Sequence, residues 1–231
     1  MSATTHKTIR IGAAGPSGGG KSTFFGIIIA ILRLFWGLRI KKINIDDYYK
    51  DHSSVPKWMR PFLNFDRIEA FDLSALLKDL RALAKGEKIQ VRRYDFVTRK
   101  VSLLNEFINP NEYDVIFVEG HILFALLTEE QIQELFDITT FVTVPGFLCF
   151  TRRLFRDMAV RGRSFFSVSI QYLLTVHPAK KKLIDPSASK AQVQVHSGGY
   201  DVVAILEILC RIKEALELDG LTIRTTTPPQ D

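Results

Sequence analysis

The chain has 231 residues and carries 31 Lys and Arg against 25 Asp and Glu, a formal charge of +6. With 46% hydrophobic and 24% charged residues it has the make-up of a folded protein long enough to bury a sizeable core, which excludes disordered and collagen-like classes. Its two cysteines, Cys149 and Cys210, exclude a disulfide framework and a CxxC zinc pair and suit a reducing cytosol, while the basic balance asks for an anionic partner.

Residues 1–10 are polar and hold no apolar signal-peptide core, so a cytoplasmic chain is expected. Residues 8–14 (TIRIGAA) read as a first buried strand. Residues 21–35 read as a helix, and its greasiest stretch, 24–32, is far short of the roughly 20 residues a membrane span needs. Residues 39–45 (RIKKINI) alternate as a second strand. Leu73, Leu76, Leu77, Leu80 and Leu83 fall at helical spacing behind a capping Asp72. Residues 114–118 (DVIFV) are a continuous apolar run, the mark of a central parallel strand. Thr128 and Gln131 have capping-box spacing and start a short helix. Residues 139–144 read as a strand, 147–159 and 167–182 as helices, Val193 and Val195 as a last strand, and 202–218 as a closing helix. Strand–helix repetition predicts an α/β fold, a parallel sheet flanked by helices. No linker divides the chain, so one domain over 1–231 is expected, with a helical lid around 152–182 and a frayed tail at 222–231.

Between the first strand and first helix lies Gly15-Pro16-Ser17-Gly18-Gly19-Gly20-Lys21-Ser22, which fits GxxxxGK[ST]. Glycines let backbone N–H groups turn inward around a phosphate chain, and the helix that follows points its positive end at the same anions. Lys21 would reach the β- and γ-phosphates of ATP, and Ser22 would ligate Mg²⁺. The same residues also match GxSxG, the nucleophile elbow of a serine hydrolase, with Ser17 as nucleophile and His177 or His196 to complete a triad. That reading leaves Lys21 and Ser22 without a task.

In such folds ligands sit at the carboxyl ends of strands. Two of these ends carry acids, Asp46-Asp47 and Glu119. Phosphoryl transfer to a hydroxyl needs a carboxylate to take the proton and others to hold the metal, directly or through water. Arg152, Arg153, Arg156, Arg161 and Arg163 crowd into twelve residues, a set able to neutralise charge on a transferred phosphate. Phenylalanines at 147, 150, 155, 165 and 166 keep single-strand nucleic-acid binding open but also suit the core side of these helices. The arginines and Lys180–Lys182 together account for the positive excess, which favours a bound triphosphate over nucleic acid or membrane; the three lysines read as a solvated helix end.

The phosphate loop, IDDYYKD (45–51), NFDRIEAFD (64–72), YDFVTRK (94–100), DVIFVEG (114–120), RRLFRDMAVRGR (152–163) and QYLLTVHP (171–178) occur in order. Together they resemble the uridine–cytidine kinase family of P-loop kinases over roughly residues 8–210. The resemblance implies ATP-dependent phosphorylation of a nucleoside 5′-hydroxyl, a part in pyrimidine salvage, Mg²⁺ and a homo-oligomer, although no heptad or interface stripe is present. It implies roles position by position. Asp46 is the catalytic acid near the metal, and Ser22 and Glu119 complete the Mg²⁺ shell. Gly15, Pro16, Ser17, Gly18, Gly19, Gly20, Lys21, Ser22 and Thr23 cradle ATP. Asp66 holds the ribose hydroxyls with Arg153, and Arg156 and Arg161 face the phosphates from the lid. Tyr94, Phe96, Arg163 and Gln171 enclose the base between the aromatic walls Tyr49 and Phe65.

The chain departs from the family at several places. Arg99 stands where the family has a base-reading histidine, and a guanidinium only donates where an imidazole can also accept. Arg92 and Arg93 replace apolar or proline residues, and His121 after Glu119-Gly120 is a further acceptor-side candidate. These departures keep open a kinase for another small alcohol, such as nicotinamide riboside, pantothenate or a sugar phosphate. A nucleotide-binding regulatory or RNA-binding protein without turnover is the reading from another class.

Overall fold

A computed structural model describes residues 8–56, 58–59, 63–160, 162–196 and 201–218. Five parallel strands form the central sheet: β1 (Ile9–Ala14), β2 (Ile40–Asn44), β5 (Val115–Gly120), β6 (Ile138–Thr143) and β7 (Val193–His196), in the order β2-β5-β1-β6-β7. An antiparallel hairpin, β3 (Ile89–Tyr94) and β4 (Val101–Ile108), forms a separate two-stranded sheet. The sequence reading missed this hairpin. β4 exposes Leu103 and Phe107 and shows no clean alternation.

Side chains on the central strands divide by parity between two cores, as the pleat requires. Ile9, Ile11, Ala13, Val115 and Phe117 pack on one side against α1 (Lys21–Trp36) and α8 (Val202–Leu218). Ile43, Ile116 and Val118 pack on the other against α2 (Leu73–Ala84), α3 (Leu123–Leu126) and α4 (Glu129–Leu135). Burial on both faces is why β5 reads as an unbroken apolar run. Apolar packing of Phe24, Phe25, Ile28 and Leu32 explains the greasy stretch of α1. Among the described residues no helix is long and apolar enough to cross a membrane.

The predicted helix starts are made as expected. Asp72 accepts the Ala75 N–H at 3.0 Å. Thr128 and Gln131 form a reciprocal capping box, which satisfies two otherwise orphan donors. At the amino end of the sheet, Arg10 pairs with Asp137 and Arg39 with Asp114 through two-pronged contacts. The opposite, carboxyl end is left for the phosphate loop.

Gly120 lies where β5 meets the segment after β2, and a Cβ there would run into the fully buried side chain of Ile45. Gly120→Ala is therefore expected to cost about 1–3 kcal/mol of stability, the usual penalty of overpacking. Denaturant titration checks this; an unshifted midpoint would show that Ile45 can move aside.

After β6 come α5 (Gly146–Ala159) and α6 (Phe165–Gln171). α6 runs on through π-helical turns at Tyr172–Val176 and Lys180–Ile184, on either side of α7 (His177–Ala179), into 3₁₀ turns at Asp185–Lys190. Two expectations are corrected here. Lys180 is not a solvated helix end, because it is buried and its ammonium donates to both Asp185 oxygens at 2.9 and 2.7 Å. The phenylalanines of α5 and α6 are not mainly core: Phe147, Phe155, Phe165 and Phe166 are exposed, and only Phe150 packs inward against Tyr172. The tail expected to fray, 222–231, lies outside the described residues.

Candidate active site

The loop between β1 and α1 turns on glycines with left-handed backbones, Gly15 (φ 141°), Gly18 (φ 79°) and Gly20 (φ 87°). A side chain at Gly18 would meet the Cys149 carbonyl at 2.6 Å, so close approach of α5 to the loop also requires glycine there. The loop wraps a cavity of about 550 Å³ at the carboxyl end of the sheet. The residues from Ser17 to Thr23 line it, together with Asn44, Asp46, Glu119, Gly120, His121, Arg152 and Arg156. Gly15 and Pro16 shape the loop from behind, and their carbonyls accept from Lys21 Nζ at 2.7 and 3.0 Å. Burial pushes the Lys21 ammonium below its ordinary value, against the pull of Glu119 and Asp46.

Ser22 lies in the first turn of α1, and its Oγ donates to Glu119 Oε1 at 2.9 Å. The other Glu119 oxygen pairs with Lys42 of β2. The start of α1 and the end of β5 thus aim one serine and one carboxylate at the same spot. Of the two neighbouring aspartates after β2, Asp46 faces the cavity, whereas Asp47 accepts the Tyr94 N–H at 3.0 Å and ties down the hairpin. Burial raises the Asp47 pKa. Asp46 and the buried Asp66 flank the ring of His121, with Nδ1 3.7 Å from Asp46 Oδ1 and Nε2 3.5 Å from Asp66 Oδ1.

Beyond Asp66 lies an aromatic box. The Tyr49 ring sits 4.9 Å from Phe65, 5.3 Å from Tyr94 and 6.1 Å from Phe96, and its hydroxyl donates to the Phe65 carbonyl. Burial lifts the Tyr49 pKa well above its usual value, so the phenol stays protonated. Arg99 takes a left-handed backbone (φ 63°) at the hairpin turn and lays its guanidinium 4.9 Å over Phe65. Arg92, by contrast, is used internally: it lies over the Tyr48 ring beside Asp79.

A third group lies on and between α5 and α6. Arg153 Nη1 donates to Ser17 Oγ at 3.2 Å and Nη2 to Gln171 Oε1 at 3.2 Å. Arg163 Nη1 donates to the same Gln171 oxygen at 2.6 Å. The partner of Ser17 is therefore a guanidinium, not the imidazole that a hydrolase nucleophile needs. Arg161 lies outside the described residues.

The cavity thus gathers the loop, Asp46, Glu119, His121 and Arg156. Tyr49, Phe65, Tyr94, Phe96 and Arg99 form the adjoining box, and Arg153 and Arg163 meet at Gln171. Sequence reasoning passed over Asn44 and Lys42, which carry no motif, and Arg152, which it counted in the cluster without giving it a place at the cavity. It also passed over Asp157, which is fully buried among Arg153, Arg156 and Arg163. An isolated acid within a basic run was the available signal.

Ser22 and the carboxylates Asp46 and Glu119 are hard oxygen donors of the kind Mg²⁺ takes. Among the described residues no cluster of three His, Cys, Asp or Glu side chains could hold a metal by itself. In kinase sites Mg²⁺ is usually held by one or two carboxylates plus substrate phosphates.

Residues 10–204 match the model of the phosphoribulokinase/uridine kinase family. A uridine kinase of Clostridium tetani is 36% identical over 211 residues, covering 91% of this chain and 97% of that protein. A uridine kinase of Chloroflexus aggregans is 38% identical over 209 residues, covering 90% and 96%. Among solved structures, the phosphoribulokinase from Rhodobacter spheroides superposes with a TM-score of 0.58 at 19% identity, covering 83% of this chain and 70% of that one. At that identity the likeness speaks for the fold alone.

Proposed function

The chain belongs to the phosphoribulokinase/uridine kinase family, and from that premise we propose that it transfers the γ-phosphate of ATP to the 5′-hydroxyl of a nucleoside, uridine or cytidine. The observation that carries the reading is the meeting of the phosphate loop with Asp46 and Glu119 in one cavity, next to a box of aromatic rings. A phosphate chain fits the loop, and a flat pyrimidine suits the rings.

The chemistry follows from charge. Asp46 accepts the proton of the attacking hydroxyl, which makes the oxygen a better nucleophile. Lys21 and Arg156 meet the negative charge that spreads over the transferred group. Ser22, Asp46 and Glu119 would hold Mg²⁺, which neutralises charge on the phosphate oxygens. Asp66 and Arg153 hold the ribose, and the aromatic box with Arg163 and Gln171 encloses the base. Residues 152–182 serve as the lid of a single kinase domain. The free thiols of Cys149 and Cys210 support a cytoplasmic setting, and the acceptor a part in pyrimidine salvage.

A panel of nucleosides and small alcohols with Mg-ATP, read by ADP release, tests this. Uridine or cytidine should be turned over best. Preference for a non-nucleoside alcohol would overturn the acceptor and favour the second reading, which Arg99 motivates: stacked on Phe65 with only donors to offer, it suits an acceptor rich in carbonyl or acidic oxygens. Phe96 stands at the rim of the box, 45% exposed, so its removal should leave the fold intact. Phe96→Ala is expected to raise the nucleoside KM about tenfold, the order of one lost base stack, with a smaller effect on kcat. An unchanged KM would remove Phe96 from the base site.

A further inference from the structure

The lid holds a single fully buried carboxylate, Asp157, on the turn of α5 that also carries Arg156. Arg156 Nε donates to its Oδ1 at 3.0 Å. Arg153 Nε and Arg163 Nη1 each approach Oδ2 at 3.6 Å. Arg163 is held twice, because its backbone N–H also donates to the Asp157 carbonyl at 3.1 Å. Beyond this anchor the three arginines diverge. Arg156 borders the phosphate cavity, Arg153 reaches Ser17 of the loop, and Arg153 and Arg163 share the Gln171 oxygen.

Three guanidinium groups this close repel one another, and each arginine has many rotamers open to it. A buried carboxylate at their centre offsets the repulsion, hydrogen-bonded to Arg156 and ion-paired with Arg153 and Arg163. The donors that remain on each fork are then aimed before any ligand arrives. We propose that Asp157 is the positioning residue of the lid, setting the phosphate-side Arg156 and the acceptor-side Arg153 and Arg163 as one unit. The proposal rests on the kinase reading above, in which those arginines touch the two substrates.

Asp157→Asn keeps the size of the side chain and removes its charge. Steady-state kinetics should show kcat at least tenfold lower and the acceptor KM raised, in protein whose circular dichroism matches wild type. The readout that a merely structural residue would not move is a double-mutant cycle with Arg156→Gln. If Asp157 acts by aiming Arg156, the double variant loses far less than the product of the two single losses. Losses that multiply to within twofold overturn the proposal, as do kcat and KM both within twofold of wild type. A buried ion pair stripped of one partner can unfold a protein. If the asparagine variant does not fold, Asp157→Glu asks the same question with the charge kept but displaced by one methylene. A tenfold loss of kcat supports the proposal, and kinetics within twofold of wild type sink it. Each variant is assayed with whichever acceptor the wild-type protein turns over. A wrong acceptor thus overturns the nucleoside reading and leaves the Asp157 test standing.

Discussion

Replacing Asp46 with asparagine is expected to lower turnover by about 10²–10⁴-fold, the span a positioned general base contributes. Asparagine keeps the shape and an oxygen but cannot take a proton at neutral pH. The backbone N–H of Asp46 donates to Asn44 Oδ1 at 3.0 Å, a contact the substitution leaves in place. His121 on its inner side should keep the amide oriented toward the cavity. In the proposed mechanism ATP binding rests mainly on the loop between β1 and α1, so the thermal shift produced by Mg-ATP should persist. ADP release with the preferred acceptor and a melting curve with Mg-ATP separate the two effects. Turnover within a few-fold of wild type would remove Asp46 from the role of base. Loss of the thermal shift along with turnover would make it chiefly a metal ligand.

Much of this arrangement was legible because the half around the β1–α1 loop is built from local signals. A strand buried on both faces, a glycine loop and a helix are contiguous in sequence, and their order alone sets the loop at the carboxyl edge of the sheet. Asp72 and the Thr128–Gln131 box were legible for the same reason, since each cap spans three residues. What escaped notice depends on contacts between distant segments or on irregular backbone. The β3–β4 hairpin gains its place through Asp47, more than forty residues before Tyr94. Lys180 and Asp185 are five apart, a spacing that an α-helix would turn away from one another. The π-helical turn at Lys180–Ile184 brings them together, and no sequence pattern announced that turn. Asp157 looked like one acid diluting a basic run, and only its burial shows that the run is organised around it.

Lys21→Ala is expected to cut kcat by about 10²–10³-fold, the loss recorded when one preorganised group is removed from developing charge. Burial makes the ammonium costly, and the loop carbonyls of Gly15 and Pro16 are the neutral acceptors that hold it. A phosphate chain entering the loop would offer it full negative charge instead. The lowered pKa has a definite sign: the proton is lost at a lower pH than from a free lysine, and a bound phosphate should draw the pKa back up. Mg-ATP binding should therefore weaken on the alkaline side in wild type, and this limb should be absent from the alanine variant. Lys21→Arg should not restore turnover. A planar guanidinium cannot take the place of a compact ammonium in a pocket walled by Gly15, Pro16 and α1. Undiminished ADP release from Lys21→Ala would undo the phosphate-loop reading, and with it the kinase assignment that depends on this side chain.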